Sequence, residues 1–498
     1  MAIISDFKLT DEQAKSVNYR GGDLLVRGVA GSGKSVVLMS RALNLNKKAN
    51  TEHKAVKILI LTYTNALIDY TRQLVDMAGV TPCLIELKSI DSVVYWCCRK
   101  LGIDRYELAS DADKKEYAKL ALNMHMQKST SKGHRFYQLE PQFWADEFSW
   151  LMQKGLWSRQ DYIDAERTGR GTKVRITKDE KSVVFELFEI YNDLLKKNGK
   201  KTWEHLYQFA WDHRDNIPED FHYNYVLIDE AQDLSFVQLR FARYLTGETI
   251  TVAADAAQKI YKKSFAWKDI GIDIRGQASK KLSITFRNTK EIWALAESLQ
   301  NVNRSCTDDR AEYTESVVPT FTGMKPRIYV CRNATDENYL IASLAREWAS
   351  KGKVVGVLYR AYSEGKQIMN ALRLNSVPFQ YYKDKNCNLA FPGIKVCTLH
   401  SAKGLEFDSV LIPHFTSSAI PLNSVLNAIT DPDEKLEQIK MERSLLYVGM
   451  TRAKNELVIT FCGEPSPFLG EFDPDTYDYL KTDGTEATKV PFTGVKKK

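Results

Sequence analysis

Gly28-Val29-Ala30-Gly31-Ser32-Gly33-Lys34-Ser35 stands between an apolar run, Leu24-Leu25-Val26, and a helix-like stretch from Val36 to Leu45. Strand, glycine-rich turn, helix is the order that a phosphate-binding loop requires. The glycines at 28, 31 and 33 let backbone N–H groups, with those of Ala30 and Ser32, turn inward around a polyphosphate, and the helix N-terminus adds positive potential. Lys34 is placed to reach the β/γ-phosphates and Ser35 to ligate Mg²⁺. A glycine-rich turn can match eight positions by chance, but the flanking strand and helix argue for a nucleoside triphosphate.

Outward from this loop, short apolar runs alternate with helical patterns: Val56 to Leu61 then Ala66 to Met77, and Tyr225 to Ile228 then Phe236 to Leu245, with a further run at Thr249 to Ala253. The alternation predicts a parallel sheet covered by helices. A second series begins near Leu282 and includes Arg327 to Val330, Val354 to Leu358, Ile394 to Thr398, Ser409 to Ile412 and Leu457 to Phe461. Between Lys100 and Phe221 the signal changes to long helical segments carrying Trp144, Trp150, Trp157, Trp203 and Trp211. The predicted fold class is therefore α/β, with two parallel-sheet units. Residues 1–100 and 221–281 form the first, 101–220 a helical insertion in it and 282–462 the second. After Cys462 the chain turns to Pro, Gly, Asp and Thr and ends in three lysines, which predicts a flexible tail over 463–498.

The 498 residues are too many for one ordinary core. No apolar stretch is long enough to cross a bilayer, and MAIISDFKLTDEQ reaches acidic residues too early for a secretory signal. A cytoplasmic protein with no membrane partner is expected. Eight cysteines show no CxxC spacing or Cys/His ladder, so no structural zinc or iron–sulfur cluster is predicted. A net charge of +7 permits a nucleic-acid partner without demanding one.

Asp229-Glu230-Ala231-Gln232-Asp233 follows the run Tyr225 to Ile228, so its carboxylates emerge at the C-terminal end of a strand, where ligands sit in open α/β sheets. Asp229 offers the hard oxygen that Mg²⁺ takes, and Glu230 is placed to polarise a water for attack on the γ-phosphate. An acidic surface turn is the alternative reading of this motif alone.

With these motifs the chain resembles superfamily 1 helicases of the UvrD/PcrA/Rep type, over nearly all of its length to about Cys462. Leu9-Thr10-Asp11-Glu12-Gln13 is similar to the family's adenine-reading segment, with Gln13 on the base edge. Tyr63, Thr64 and Asn65, in Thr62-Tyr63-Thr64-Asn65, match a strand-end motif that touches single-stranded DNA. Gln258, in Ala254 to Tyr261, corresponds to the γ-phosphate sensor; Phe286 and Arg287 correspond to an adenine-stacking ring and a γ-phosphate arginine. Thr398-Leu399-His400-Ser401-Ala402-Lys403-Gly404-Leu405-Glu406-Phe407 matches a DNA-contacting element whose Glu406 reaches the ribose, with Thr398 and His400 on the strand. Glu442 to Ala453 matches the final motif and makes Arg452 the second γ-phosphate arginine.

The resemblance implies two RecA-like motor units, ATP and Mg²⁺ as cofactors, and movement along single-stranded DNA from 3′ to 5′. Lys34, Glu230, Gln258, Arg287 and Arg452 are then the catalytic set. Trp267 is a candidate base-stacking residue, with a core role as its alternative, and His400 is either a DNA contact or a coupling residue. Six basic residues between Arg167 and Lys181 face DNA or form a solvated loop. Two departures from the family stand out. Asp255-Ala256-Ala257 is less acidic than usual, and only about 35 residues separate Arg360 from Thr398, where larger relatives insert an accessory subdomain. These departures keep open an ATP-gated DNA-binding subunit of a larger complex, and an RNA-directed helicase is a further alternative. The segment after Cys462 is too short for a nuclease domain, so any cutting requires a partner in trans.

Overall fold

The computed structural model describes residues 9–62, 85–103, 105–128, 135–167, 174, 176–255, 267–305, 317–384, 387, 391–427, 429, 432–489, 491 and 493. Two all-parallel sheets organise them. The first has six strands in the order Ile85–Lys88, Ile58–Leu61, Tyr223–Ile228, Thr246–Ala254, Leu24–Gly28, Ser279–Leu282. Ile58–Leu61 is buried at every position, as expected for a strand covered on both faces, and this is why such strands read as continuous apolar runs. Non-consecutive neighbours are joined by helical crossovers. One crossover helix, Lys34–Thr51, starts at the end of the glycine-rich turn.

Arg41 anchors that helix from inside. It is 2% exposed, and its guanidinium donates to Thr251 Oγ1 on the sheet and to the carbonyls of Ser16, Val17 and Tyr19. The short helix Asp11–Val17, closed by a Thr10/Gln13 capping box, is thereby fixed beside the phosphate loop.

The second sheet has seven strands in the order Phe379–Tyr381, Gly393–Thr398, Val354–Tyr359, Phe407–Ile412, Ala453–Cys462, Arg327–Cys331, Asp478–Lys481. Its last strand corrects the expectation of a flexible tail from 463. Asp478–Lys481 pairs with Arg327–Val330, and Phe468, Leu469, Phe472, Tyr477 and Tyr479 are buried in the core of the second unit. The Pro/Gly/Asp composition makes turns there, and the aromatic residues between them supply the apolar burial that holds the segment down.

The insertion has its own aromatic core around Trp144, Phe148, Phe188 and Tyr191, built by helices Asp111–Lys128, Pro141–Gln153 and Lys178–Lys197. The helix Trp203–Asp212 does not belong to that core. Leu206, Tyr207 and Ala210 pack with Val94 and Cys98 in the first unit, and the Tyr207 hydroxyl donates to Asp91 at 2.6 Å. Among the described residues, no helix is long and apolar enough to cross a membrane.

Candidate nucleotide and nucleic-acid site

The phosphate loop is shaped by conformations that favour glycine. Gly31 and Gly33 have φ of +71° and +81°, and a Cβ on Gly31 would sit 2.6 Å from Arg287 Cβ and 2.7 Å from Thr285 Oγ1. Phe286 N–H donates to the Gly31 carbonyl at 2.9 Å, so the loop is seated directly on the segment 285–287. Lys34 is 7% exposed, and its ammonium bonds the carbonyls of Gly28 and Val29 at 2.9 and 3.2 Å and faces Asp255 at 3.5 Å. The hydroxyls of Ser32 and Thr285 are buried with no partner, two polar atoms at the loop that a phosphate oxygen or its water would satisfy.

Ser35 Oγ lies 2.5 Å from Asp229 Oδ2. Two hard oxygen donors thus meet beside the loop. Among the described residues no cluster of three His, Cys, Asp or Glu could hold a metal by itself. The pair suits Mg²⁺, which binds through one or two protein oxygens and completes its shell with phosphate and water.

Glu230 follows in the left-handed region at φ 50°, ψ 40°, an unusual conformation for a residue with a side chain, held by Asp229 Oδ1 accepting from Glu230 N–H at 2.9 Å. Gln232 spans the site, donating to Glu230 Oε2 and accepting from Asp255 N–H. Burial drives both acidic side chains toward the neutral form. In Glu230 the cations Lys403, Lys34 and Arg452 more than reverse this and hold the carboxylate ionised, the form a base needs. Asp229 instead sits above the ordinary range, from burial and from the adjacent charge of Glu230.

Lys403 comes from the second unit. It is 3% exposed, and its ammonium lies 2.7 Å from Asp233 Oδ2 and 3.7 Å from Glu230 Oε2. Burial disfavours its charge, but Asp233 and Glu230 outweigh burial and keep it protonated. In the sequence Lys403 and Asp233 stand inside motifs that assign neither a role; their only signal there is a lone lysine between Thr398 and Phe407 and an acid three residues past Glu230.

The two arginines differ in their present partners. Arg287 donates to Glu406 Oε1 through Nε and Nη2 at 2.9 and 2.6 Å, while Lys454 faces the other carboxylate oxygen at 3.2 Å. Arg287 first, then Lys454, holds the Glu406 carboxyl at about 2 despite burial. Arg452 is 1% exposed and donates to the carbonyls of Val448 and Leu405. Burial, then the charge of Arg287, lowers its pKa to about 9, and Glu230 and Glu406 oppose that shift. Asn288 ties the two segments by donating to the Thr451 and Ala453 carbonyls on either side of Arg452. Phe286 is 43% exposed, an accessible ring beside the loop. The Gln13 amide is held by Thr10 N–H at 3.1 Å and the Ser32 carbonyl at 3.0 Å.

Tyr63, Thr64, Asn65 and Gln258 lie outside the described residues. Trp267 is half-buried against the first unit's core, where its core alternative puts it. Thr398 Oγ1 accepts from Ser401 N–H at 3.0 Å and donates to Ser401 Oγ, forming a turn that presents His400. Burial, then the neighbouring Arg360, pushes the His400 imidazole down to about 4, so it is neutral at pH 7. The expected DNA-facing stretch at Arg167 is in part structural. The Arg167 fork holds the fully buried Glu147 at 2.9 and 2.7 Å, and Lys181 caps the carbonyls of Ile163 and Ala165.

Comparison with known proteins accords with this arrangement. The UvrD/REP helicase N-terminal domain matches residues 9–266 and the UvrD-like helicase C-terminal domain matches 382–464. A probable DNA helicase II homolog of Mycoplasma capricolum is 22% identical over 394 residues, 75% of this chain and 51% of that protein. DNA helicase II of Escherichia coli is 21% identical over 75% of this chain and 51% of its own length. For DNA helicase II of Rickettsia typhi the figures are 22%, 90% and 68%. The chain thus spans about half the length of several curated relatives it matches. It belongs to the UvrD/REP helicase family.

Proposed function

We propose that this member of the UvrD/REP helicase family is an ATP-dependent motor on single-stranded DNA, moving 3′ to 5′ and coupling hydrolysis to strand separation or protein displacement. The observation that carries this reading is the meeting of Glu230 with Lys34 from its own unit and with Lys403 and Arg452 from the other. A hydrolytic base, a phosphate lysine and cations from a second body occupy one buried place, as transfer of a charged phosphoryl group requires.

In this reading the phosphate loop and Lys34 cradle the β/γ-phosphates, and Lys34 exchanges its loop carbonyls and Asp255 for phosphate oxygens. Ser35 and Asp229 hold Mg²⁺, which screens phosphate charge. Ionised Glu230 accepts a proton from the attacking water. The new P–O bond forms as the β–γ bridging bond breaks, leaving ADP and phosphate. Arg452 and Arg287 face the charge that develops on the γ-oxygens. Phe286 takes the base, and Glu406, released by Arg287, takes the ribose. These contacts differ between triphosphate and diphosphate states, so turnover biases the separation of the two units.

The test is ATP hydrolysis by the purified chain without nucleic acid and with single-stranded DNA, single-stranded RNA or duplex DNA. Strong stimulation by single-stranded DNA is expected, with Glu230→Gln abolishing turnover but still binding ATP. Normal stimulated hydrolysis by that variant would sink the base assignment, and a larger response to RNA would overturn the substrate. A second reading, an ATP-gated DNA-binding subunit of a larger complex, is favoured by the short connection between Tyr381 and Gly393. Translocation by the purified chain alone rules it out.

A further inference from the structure

Strands Val354–Tyr359, Gly393–Thr398 and Phe379–Tyr381 are parallel neighbours whose registers pair Tyr359 with Thr398 and Tyr381 with Val396. All three therefore end at one edge, the carboxyl edge where ligands bind in open parallel sheets. Three residues beyond the first comes Tyr362, directly beyond the third come Tyr382 and Lys383, and two beyond Thr398 comes His400.

Tyr362 is 57% exposed, with the Lys366 ammonium 5.0 Å from its ring centroid. Tyr382 stands edge-on to Tyr381 at 5.0 Å, with the Lys383 ammonium 5.6 Å from its ring. Tyr382 first, then Tyr381 and, more weakly, Tyr362 favour the charged form of Lys383, so Tyr362 lies within electrostatic reach of that ammonium. Nearby acids are already engaged: Asp384 accepts from Tyr381 N–H, Glu364 from Arg360 and Ala361 N–H, and Glu442 holds the Arg360 fork at 2.9 and 2.6 Å. Among the described residues neither Lys366 nor Lys383 is in an ion pair. Tyr382 N–H bonds the Val396 carbonyl at 3.2 Å, so this ring is carried on the sheet.

We propose that Tyr362 with Lys366 and Tyr382 with Lys383 form a further single-strand contact, each ring stacking a base and each ammonium holding its phosphate, beyond the Thr398 and His400 end of the track. Tyr362 offers a water-exposed face, Tyr382 is half-buried with part of its ring against the second unit's core, and each stands beside a cation that is in no ion pair among the described residues. An accessible ring beside such a cation is the combination that a nucleotide satisfies at once, without sequence preference. The contact lies next to the short connection from Tyr381 to Gly393. It rests on the proposed action on single strands.

The experiment is an anisotropy titration of the full chain with a labelled oligothymidylate and with an abasic strand of equal length. Tyr362→Ala and Tyr382→Ala should each weaken oligothymidylate binding about tenfold, with little effect on the abasic strand, whereas Tyr→Phe at either site keeps the affinity. Lys366→Glu and Lys383→Glu, exposed changes that leave the core intact, should each reduce the salt slope by about one. ATP hydrolysis without nucleic acid should be unchanged. Wild-type affinity in both alanine variants, or an equal loss on the abasic strand, would overturn the stacking contact. Failure of the unaltered chain to bind any single strand would instead sink the reading beneath it.

Discussion

Lys403 joins the second unit to the acidic end of the first at the candidate nucleotide site. One buried ammonium holds Asp233 and Glu230 across the boundary between units, and Arg452 reaches the same carboxylate. Loss of such a cation leaves buried carboxylates uncompensated, which costs about 3–5 kcal/mol in comparable sites. Lys403→Met should therefore lower DNA-stimulated kcat at least tenfold, about 1.4 kcal/mol of transition-state stabilisation, with a smaller change in the KM for ATP. Lys403→Arg, which keeps the charge, should recover part of it. Steady-state kinetics on both variants checks this, and equal kcat for Met and wild type would remove Lys403 from the machinery. At this scale the sequence could name the motif around Lys403 but not its partner. The lysine and Asp233 lie far apart in the chain, and spacing carries no information on a pair made only by tertiary packing.

Among the elements, the insertion and the C-terminal strand show where sequence reading succeeds and where it fails. Apolar runs such as Ile58–Leu61 were readable because strands buried on both faces need apolar residues at every position. A basic run carries no such constraint. Arg167 resembles a solvated charge until its partner Glu147, 0% exposed and twenty positions upstream, is seen. Arg167→Ala should destabilise the insertion by about 3–5 kcal/mol, because it strands a buried carboxylate. Single-strand affinity of the folded variant should stay within twofold. Denaturant unfolding with binding measured below the transition separates the two, and a tenfold affinity loss with full stability would return Arg167 to the DNA face. The segment after Cys462 misled in the opposite direction, since turn-forming residues mask Phe468, Phe472, Tyr477 and Tyr479. Each such side chain contributes about 1.5–3 kcal/mol by burial. Deleting 463–498 should unfold the second unit, seen as loss of its cooperative transition, whereas an unchanged melting profile would make the strand dispensable.

For the whole molecule, the decisive feature is that the nucleotide's expected ligands come from both sheets and are now occupied by one another. Lys34 rests on loop carbonyls and Asp255, and Arg287 rests on Glu406. A triphosphate offers both cations a better partner in the same place, and a ligand shifts an equilibrium only by its differential contacts with the two states. ATP with Mg²⁺ should therefore draw the units together in Glu230→Gln, which binds without turning over. That closure should appear as a smaller radius of gyration in solution scattering and a higher melting temperature. A ligand at a hundred times its Kd adds about 2.7 kcal/mol to the folded state. ADP, lacking the γ-oxygens that Arg452 and Arg287 are expected to face, should stabilise the first unit without the full compaction. Arg452→Ala should uncouple the two readouts, keeping ATP-dependent stabilisation while losing compaction. If ADP and ATP compact the protein equally, the γ-phosphate is not what closes the cleft, and stepping would need another source.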